Sequence, residues 1–326
     1  MHQHFRIIGS ARYLPATRIA AENLDERLGL SRGTTFARTG VQFRHRALPP
    51  ESAATMAREV IRAALKSARV GLGEIDTLLD ASLCQQQPVP CNAALVQEAL
   101  GLEASGLTCM DVHASCLGFV AALKVVNGLF ASDAARRVVV VCAETPLSGV
   151  NWQEPESACL MGDGAAAFVF EKTVPEHSCV LNFETHAEGA HLCEVRGGGH
   201  RLPAFDYKPE RRSDYLFTME GKALHKLASR LLPPLVERTL TEARSNFAEL
   251  EVVPHQASGP SLELLARRLQ IPRSRFHVTI AEHGNLVAAS IPFVLHSVRQ
   301  ARPSGTRVML LGTAAGYSQA AAVFSL

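Results

Sequence analysis

The sequence lacks the features of a membrane, secreted or zinc-binding protein. It has no apolar run near the ~18 residues needed to span a bilayer, and its first residues, MHQHFRIIGSARYLP, lack the apolar core of a signal peptide. Its eight cysteines include no CxxC pair and no Cys/His spacing typical of a zinc site. We therefore expect a cytoplasmic protein with reduced thiols, no metal and no membrane contact.

The sequence also lacks an excess of positive or negative charge. Lys and Arg number 33, Asp and Glu number 31, and the formal net charge is +2. This balance gives no general argument for binding nucleic acid or a membrane surface. With 326 residues, of which 47% are hydrophobic, the chain is long enough for two domains or one fused pair around a large core.

Apolar strand patterns alternate with helical patterns along the chain. The strand candidates are RIIG, IDTLLDAS, LTCMDVHA, RVVVVCAE, AAAFVFE, CVLNFETH, LEVVPHQ, RFHVTI, RVMLLGT and AAAVFSL. Helical patterns cover about 53–69, 117–130, 219–246, 260–270 and 286–301. Uninterrupted Val/Leu/Ile strands alternating with helices predict an α/β fold whose sheets are buried on both faces.

The order of these patterns is duplicated. A strand, a turn and a helix around Cys116 are followed by two apolar strands, and the same succession begins around Asn285. These two residues are 169 positions apart, and so are Val139 and Val308 in the next strand of each copy. We therefore predict two similar halves, residues 1–172 and 173–326, joined by a polar junction within 172–178.

Cys116 lies where an extended segment becomes a helix. The first turn of a helix has unpaired N–H groups and a partial positive charge, which lower the pKa of a thiol and favour the reactive thiolate. Ala114, Ser115 and Gly118 would allow a tight turn around it. Considered alone, Cys116 is also explained as a small buried hydrophobic residue.

Two more polar residues follow predicted strands. His255 comes after LEVVP, and Asn285 occupies the position that duplicates Cys116. Strand ends are where sites gather in α/β sheets, so a thiol, an imidazole and an amide can converge there. His255 could instead be a hydrogen-bonded core histidine. His113 and His283 are interpreted as structural.

Several ordered motifs together carry a family resemblance. RTGVQFRHRA, DVHASCLGF, MGDGAAAFVF, LFTMEGKALHKLA, VVPHQAS and EHGNLVAASIP resemble β-ketoacyl-acyl carrier protein synthase III of the thiolase superfamily, from about residue 5 to the C-terminus. The resemblance implies a five-layered αβαβα fold of two duplicated halves, usually homodimeric. It implies thioesters of coenzyme A or of a phosphopantetheine carrier protein as substrates, and no cofactor.

The resemblance also assigns catalytic roles. Cys116 matches the nucleophile that accepts an acyl group, and His255 and Asn285 match the pair that binds the second thioester's carbonyl during malonyl decarboxylation. Ala315, in LLGTAAGYSQ, lies in the loop whose backbone N–H completes an oxyanion hole with that of Cys116. The family usually has glycine at this position, but a backbone donor does not depend on the side chain.

The residues expected at the substrate entrance of the active site depart from the family pattern. Thr34 stands where the family often has a tryptophan that stacks on adenine, and the lone tryptophan, Trp152, is far away in sequence. Ser258 and Pro260 replace an asparagine and a basic residue. Arg38 of the RTG motif and Ser258 are assigned to substrate binding. We expect a specialised enzyme that prefers carrier-bound substrates to free coenzyme A thioesters.

The acyl chain and the carrier need further residues. Val89 and Leu117 are assigned to the acyl tunnel. Arg267 and Arg268 are assigned to an acidic carrier protein or a phosphopantetheine phosphate, although arginines on a helix are also typical of a solvated face.

Three functions compete. The first is decarboxylative condensation with a malonyl-type thioester, in fatty acid or specialised polyketide-type biosynthesis. The second is an acyltransferase or non-decarboxylative Claisen enzyme that uses a β-ketoacyl, alcohol or amine acceptor. The third is a non-catalytic partner subunit, which has no chemical need for Cys116, His255 and Asn285 together.

Overall fold

Two large β-sheets covered by helices form the body of the described chain, with two small two-stranded sheets beside them. The computed structural model describes residues 1–174 and 177–326. The strands are β1 (Phe5–Tyr13), β2 (Thr17–Ala20), β3 (Phe43–Arg46), β4 (Thr77–Asp80), β5 (Thr108–Asp111), β6 (Arg137–Glu144), β7 (Gly164–Lys172), β8 (Val180–Thr185), β9 (Cys193–Glu194), β10 (Thr218–Met219), β11 (Glu251–Pro254), β12 (Arg307–Ala314) and β13 (Ser318–Ser325). The α-helices are α1 (Ala21–Arg27), α2 (Thr34–Thr39), α3 (Ala53–Ala68), α4 (Asn92–Leu100), α5 (Gly118–Ala131), α6 (Pro155–Ala158), α7 (Gly221–Ala243), α8 (Gly259–Arg268), α9 (Ile280–His283) and α10 (Ser290–Ala301).

The two sheets repeat one strand order. The first runs β1-β7-β6-β4-β5 and the second β8-β13-β12-β11. In both, the two strands at the start of the order pair antiparallel, and the later pairs β4–β6 and β11–β12 are parallel. The duplicated order predicted from the sequence is therefore present. The predicted boundary between the halves, after residue 172, stays a prediction. Residues 175 and 176 of the proposed junction lie outside the described residues.

Side chains on β6 show why its central residues, 138–143, are all apolar. Val138, Val140 and Cys142 pack in the cluster between the sheets, together with α5 and α10. Val139 and Val141 point the other way, towards α3 and α4. Because successive side chains alternate between faces, the central part of a strand that is covered on both sides is apolar at every position.

The remaining layer lies on the second sheet, where α7 and α8 pack against β11, β12 and β13. The layers are therefore α3 and α4, the first sheet, α5 and α10, the second sheet, and α7 and α8. This confirms the five-layered αβαβα thiolase-like fold. Within the described ranges, no helix has both the length and the apolar content to cross a bilayer.

The prediction of a strand at RFHVTI is wrong. Only Phe276 forms a parallel bridge, to Val252, where the first sheet has the whole of β5. Pro272 precedes a 3-10 turn at Arg273–Arg275. The backbone is therefore still turning at Arg275, where the predicted strand should begin. The sequence also gave no signal for short elements such as α1, α2 and α6, whose apolar periodicity is too brief to detect.

Candidate active site

Cys116 lies in a single 3-10 turn, Ser115–Leu117, between β5 and α5. Ser115 has φ +48°, a left-handed conformation that non-glycine residues rarely adopt. Gly284, which precedes Asn285 in the second half, has φ +71°. In both halves, the residue before the polar side chain therefore has a positive φ. A Cβ on Gly118 would meet the carbonyl oxygen of Ala81 at 2.1 Å, so this turn has no room for a side chain there.

The Cys116 thiol is protonated at rest. Burial raises its pKa well above the usual value, and nearby Cys193 and Glu144 act in the same direction. The backbone N–H groups of Ala315 and Cys116 face the sulfur and act against this rise. The expectation of a lowered pKa is wrong, because burial outweighs the donors at the start of the helix. A neutral thiol needs a base to become a nucleophile.

His255 brings an imidazole to the same region. Its backbone N–H donates to the carbonyl of Leu311 at 2.7 Å, which fixes it beside β12. A Cβ on Gly312 would lie 2.8 Å from the His255 Cβ and 3.2 Å from the Leu117 Cδ2. The glycine therefore allows the imidazole and the Cys116 turn to pack against the same point of the strand.

The His255 imidazole is neutral at ordinary pH. The residue is 7% exposed, and burial lowers its pKa to about 4. Its Nδ1 is buried without a hydrogen-bond partner among the described residues. A core histidine held by hydrogen bonds would have such a partner. The ring is instead available to exchange a proton or to bind a substrate atom.

Asn285 is held by both its backbone and its amide. Its backbone N–H donates to Leu160 at 2.9 Å, and its carbonyl accepts from Gly162 at 3.0 Å. Its Oδ1 accepts from the Val287 N–H at 2.8 Å and lies 3.4 Å from the Ser290 hydroxyl. The Nδ2 therefore points the other way, with only a long 3.4 Å contact to the carbonyl of Ala257. This buried amide can donate to a substrate oxygen.

The sequence reasoning missed the residues that orient this amide. Val287 and Ser290 are buried in the apolar segment LVAAS, where a serine five residues after Asn285 was the one available signal. The two histidines interpreted as structural lie elsewhere. His113 is exposed, and His283 packs edge-on against Phe293 at 4.9 Å.

A cavity of about 520 Å³ leads towards the site. Its lining includes Arg38 and Ser258, two of the predicted substrate-binding residues, together with Lys222 and Thr313. The Ser258 hydroxyl also caps α8 by accepting from the Ser261 N–H. The cavity reaches Ala257, whose carbonyl oxygen lies 3.4 Å from the Nδ2 of Asn285.

Other predicted residues lie further from Cys116. Val89 is 80% exposed on the loop after β4, whereas Leu117 is fully buried. Arg268 lines a groove beside the entrance, and Arg267 lies on a separate surface with Glu263. The structure therefore groups Leu117 with Cys116 and places Val89 and Arg267 away from the site. Their assignments to acyl and carrier binding stay predictions.

Thr34 provides no aromatic ring at the position where the family often has a tryptophan, and the nearest exposed ring on α2 is that of Phe36. The Thr34 hydroxyl donates to the carbonyl of Ser31 at the start of α2. Trp152 is already covered by the Arg27 guanidinium, whose central carbon lies 3.9 Å from the ring centre. The tryptophan is thus occupied by an internal cation–π contact.

Comparisons with known proteins identify the family of the chain. Residues 110–189 match the family described as 3-oxoacyl-[acyl-carrier-protein (ACP)] synthase III, and residues 246–326 match its C-terminal region. The chain is 31% identical over 319 residues to β-ketoacyl-[acyl-carrier-protein] synthase III of Neisseria meningitidis serogroup C, covering 97% of each chain. It is 32% identical over 310 residues to the protein of the same name from Alkalilimnicola ehrlichii, covering 94% of each.

A solved structure extends the likeness to the whole fold. The 3-oxoacyl-[acyl-carrier-protein] synthase III of Aquifex aeolicus VF5 superposes with a TM-score of 0.88 at 27% identity, covering 99% of this chain and 100% of the other. The shared sequence spans both halves and includes the segments around Cys116 and Asn285. The chain therefore belongs to the 3-oxoacyl-[acyl-carrier-protein] synthase III family and is an enzyme of the acyltransferase type.

Proposed function

We propose that Cys116 accepts an acyl group from a thioester and condenses it with a malonyl-type thioester, with loss of carbon dioxide. The observation that carries this proposal is the orientation of Asn285. Its Oδ1 is bound by Val287 and Ser290, so its N–H groups are left for a substrate carbonyl near the neutral His255. Two neutral donors suit an oxygen that becomes negative, whereas a carboxylate would repel it.

The first half-reaction loads the enzyme. The His255 imidazole accepts the thiol proton as the sulfur attacks the thioester carbonyl. The N–H groups of Cys116 and Ala315 bind the oxyanion, and the proton then passes to the leaving thiol. The acyl group remains on the Cys116 sulfur.

The second half-reaction forms a carbon–carbon bond. The bond between the malonyl α carbon and its carboxylate breaks, carbon dioxide leaves, and the electron pair moves onto the thioester oxygen bound by His255 and Asn285. The α carbon then attacks the acyl group, and the bond to the Cys116 sulfur breaks to leave a thiolate, which takes up a proton from water. No metal or cofactor takes part in these steps.

The polar entrance supports a phosphopantetheine substrate. Arg38 and Lys222 supply cations for a phosphate, while Ser258 and Thr313 can bond to the amides of the pantetheine arm. Without a tryptophan at position 34 to stack on adenine, coenzyme A gains less over a carrier protein. Base stacking of this kind contributes roughly 1–3 kcal/mol at other sites. We therefore assign carrier-bound donors, with Arg268 beside the entrance available to an acidic carrier.

A donor panel tests this assignment. We expect kcat/KM to be higher for acyl carrier protein donors than for coenzyme A donors with the same acyl chain. Intact-protein mass spectrometry identifies the chain that is transferred, and labelled carbon dioxide from malonyl thioesters reports condensation. A clear preference for free coenzyme A would contradict the carrier assignment. Acyl turnover without carbon dioxide release from any malonyl carrier would favour the alternative, acyl transfer to a β-ketoacyl, alcohol or amine acceptor.

The pH dependence of loading tests the neutral thiol–imidazole pair. His255 is unprotonated above its lowered pKa of about 4, so we expect a level rate from about pH 6 to 8. The rate should fall as the pH drops below about 5, because protonation removes the base. Single-turnover acylation across this range measures the profile, with circular dichroism as a control for folding. A midpoint near pH 6.5 would contradict a buried neutral histidine.

We propose that two copies of the chain form a homodimer through the exposed edge of the first sheet. Strand β5 is an edge strand, and Met110 on it is 37% exposed. The loop that carries the exposed Val89 is tied to β5 through Asp111, which accepts from the N–H groups of Asn92 and Ala93. An unpaired edge can bind a second copy, and Val89 would then reach the partner's acyl site. Light scattering should give twice the 35.2 kDa chain mass.

The pathway and the compartment complete the proposal. We assign the product to fatty acid or specialised polyketide-type biosynthesis in the cytoplasm. In support of this compartment, all eight cysteines are free in the described structure.

A further inference from the structure

A second channel reaches the site between α7 and α8. It is a groove of about 100 Å³, with His255 and Gly312 at its inner end and Arg268 among the residues that line it. Its walls are mostly apolar, with Leu232 from α7, Leu265 from α8 and Leu311 from β12. The mechanism described above uses the entrance cavity and leaves this groove without a function.

The two channels differ in chemistry. Both have largely apolar walls, but the entrance cavity includes the cations of Arg38 and Lys222 and the Ser258 hydroxyl, whereas five of the groove's lining residues are leucines. A pantetheine arm carries two amides and a phosphate, and burying amides against leucines would leave their hydrogen bonds unmade. The arm therefore belongs in the entrance cavity, and the groove suits an alkyl group.

The channels meet beside the acceptor's reacting end. Both are lined by His225, Ala228, Ala257, Ser261 and Thr313, and the groove also includes His255 itself. In the proposed condensation His255 binds the acceptor's thioester oxygen, which is two bonds from the α carbon. A substituent on that carbon therefore lies within a few ångströms of the groove.

We propose that the groove holds an alkyl substituent on the α carbon of the acceptor, so that the enzyme uses an alkylmalonyl-type thioester. This inference rests on the proposed condensation. Decarboxylation follows the same course, and the α carbon that attacks the acyl group already carries the alkyl chain. The product is an α-alkyl-β-ketoacyl thioester. At about 30 Å³ for a water-sized group, the groove accepts about three carbons.

Filling the groove tests the inference. Ser229 lines the groove but not the entrance cavity, so Ser229→Leu should block the alkyl group alone. We expect wild type to use ethylmalonyl carrier, and the variant to lose about 10–200-fold in kcat/KM for it, the usual range for one or a few methylenes in a pocket. Its kcat/KM for malonyl carrier should stay within about threefold. Thr241→Leu, on the exposed part of α7, is the matched control and should change neither value.

The possible outcomes separate the groove assignment from the condensation. Carbon dioxide from malonyl carrier but none from ethylmalonyl carrier in wild type would overturn the groove assignment and leave the condensation intact. Equal losses for both acceptors in Ser229→Leu would also overturn it. No release from either acceptor would overturn the condensation and the groove assignment together. Thermal melting checks that the variant folds, and Ser229→Val replaces it if it does not.

Discussion

Cys116→Ala should carry no acyl adduct and should lose at least about 10³-fold in turnover. Removing the nucleophile of a covalent mechanism abolishes the intermediate itself and leaves only binding and the oxyanion donors. Cys116 is the cysteine towards which the N–H groups of Cys116 and Ala315 both point. Intact-protein mass spectrometry after incubation with an acyl donor measures the adduct, and peptide mapping of wild type locates it.

Variants of two other cysteines serve as controls for this experiment. Cys91 is exposed and reacts readily with added reagents, so Cys91→Ala removes non-specific labelling. Cys193 is buried near Cys116, so Cys193→Ala reports whether a neighbouring thiol takes the acyl group instead. Both variants should load normally. An adduct that persists in Cys116→Ala would show that another residue is the nucleophile.

The layered fold was predictable because its signals are local. The strand Arg137–Glu144 is uninterrupted in sequence and coincides with β6 residue for residue, since both faces of the strand are covered. The spacing of 169 residues between Cys116 and Asn285 was equally visible, because each half repeats its own strand, turn and helix.

Properties that depend on distant packing were not predictable. The helix start at Cys116 indicated a low thiol pKa, but the residues that bury the thiol come from several other segments and reverse the shift. No sequence pattern indicated that Val89 would be exposed or that Arg27 would cover Trp152. Solvent exposure and long-range stacking follow from how elements pack, and apolar periodicity carries no information about them.

Asn285→Ala should separate the two half-reactions. The amide is proposed to bind only the acceptor's oxygen, so Cys116 should load at a near-normal rate. Loss of one oxyanion donor typically costs about 10²–10³ in rate, or ~2.7–4 kcal/mol, and that loss should fall on decarboxylation. Single-turnover acylation and labelled carbon dioxide release, measured on the same preparation, give the two rates.

The variant Asn285→Asp tests whether decarboxylation needs the N–H groups of the amide or only a side chain of the same size. The carboxylate keeps the size of the amide, and one oxygen can still accept from the Val287 N–H. It offers no N–H to the enolate and, when ionised, repels it, so decarboxylation should fall at least as far as in Asn285→Ala. A variant that decarboxylates normally with aspartate would show that this position supplies no hydrogen bond to the acceptor.

His255→Ala should affect both half-reactions, because its imidazole is proposed to accept the thiol proton and to bind the acceptor oxygen. Loading should slow by about 10²–10⁴, the usual contribution of a general base, and carbon dioxide release should fall by about 10²–10³ even from enzyme that is already acylated. Acylated enzyme prepared by long incubation separates these effects. If His255→Ala loads as fast as wild type but fails to decarboxylate, the thiol proton goes to another acceptor and the histidine serves the second step alone. If it loads slowly but decarboxylates normally once acylated, Asn285 binds the enolate without it.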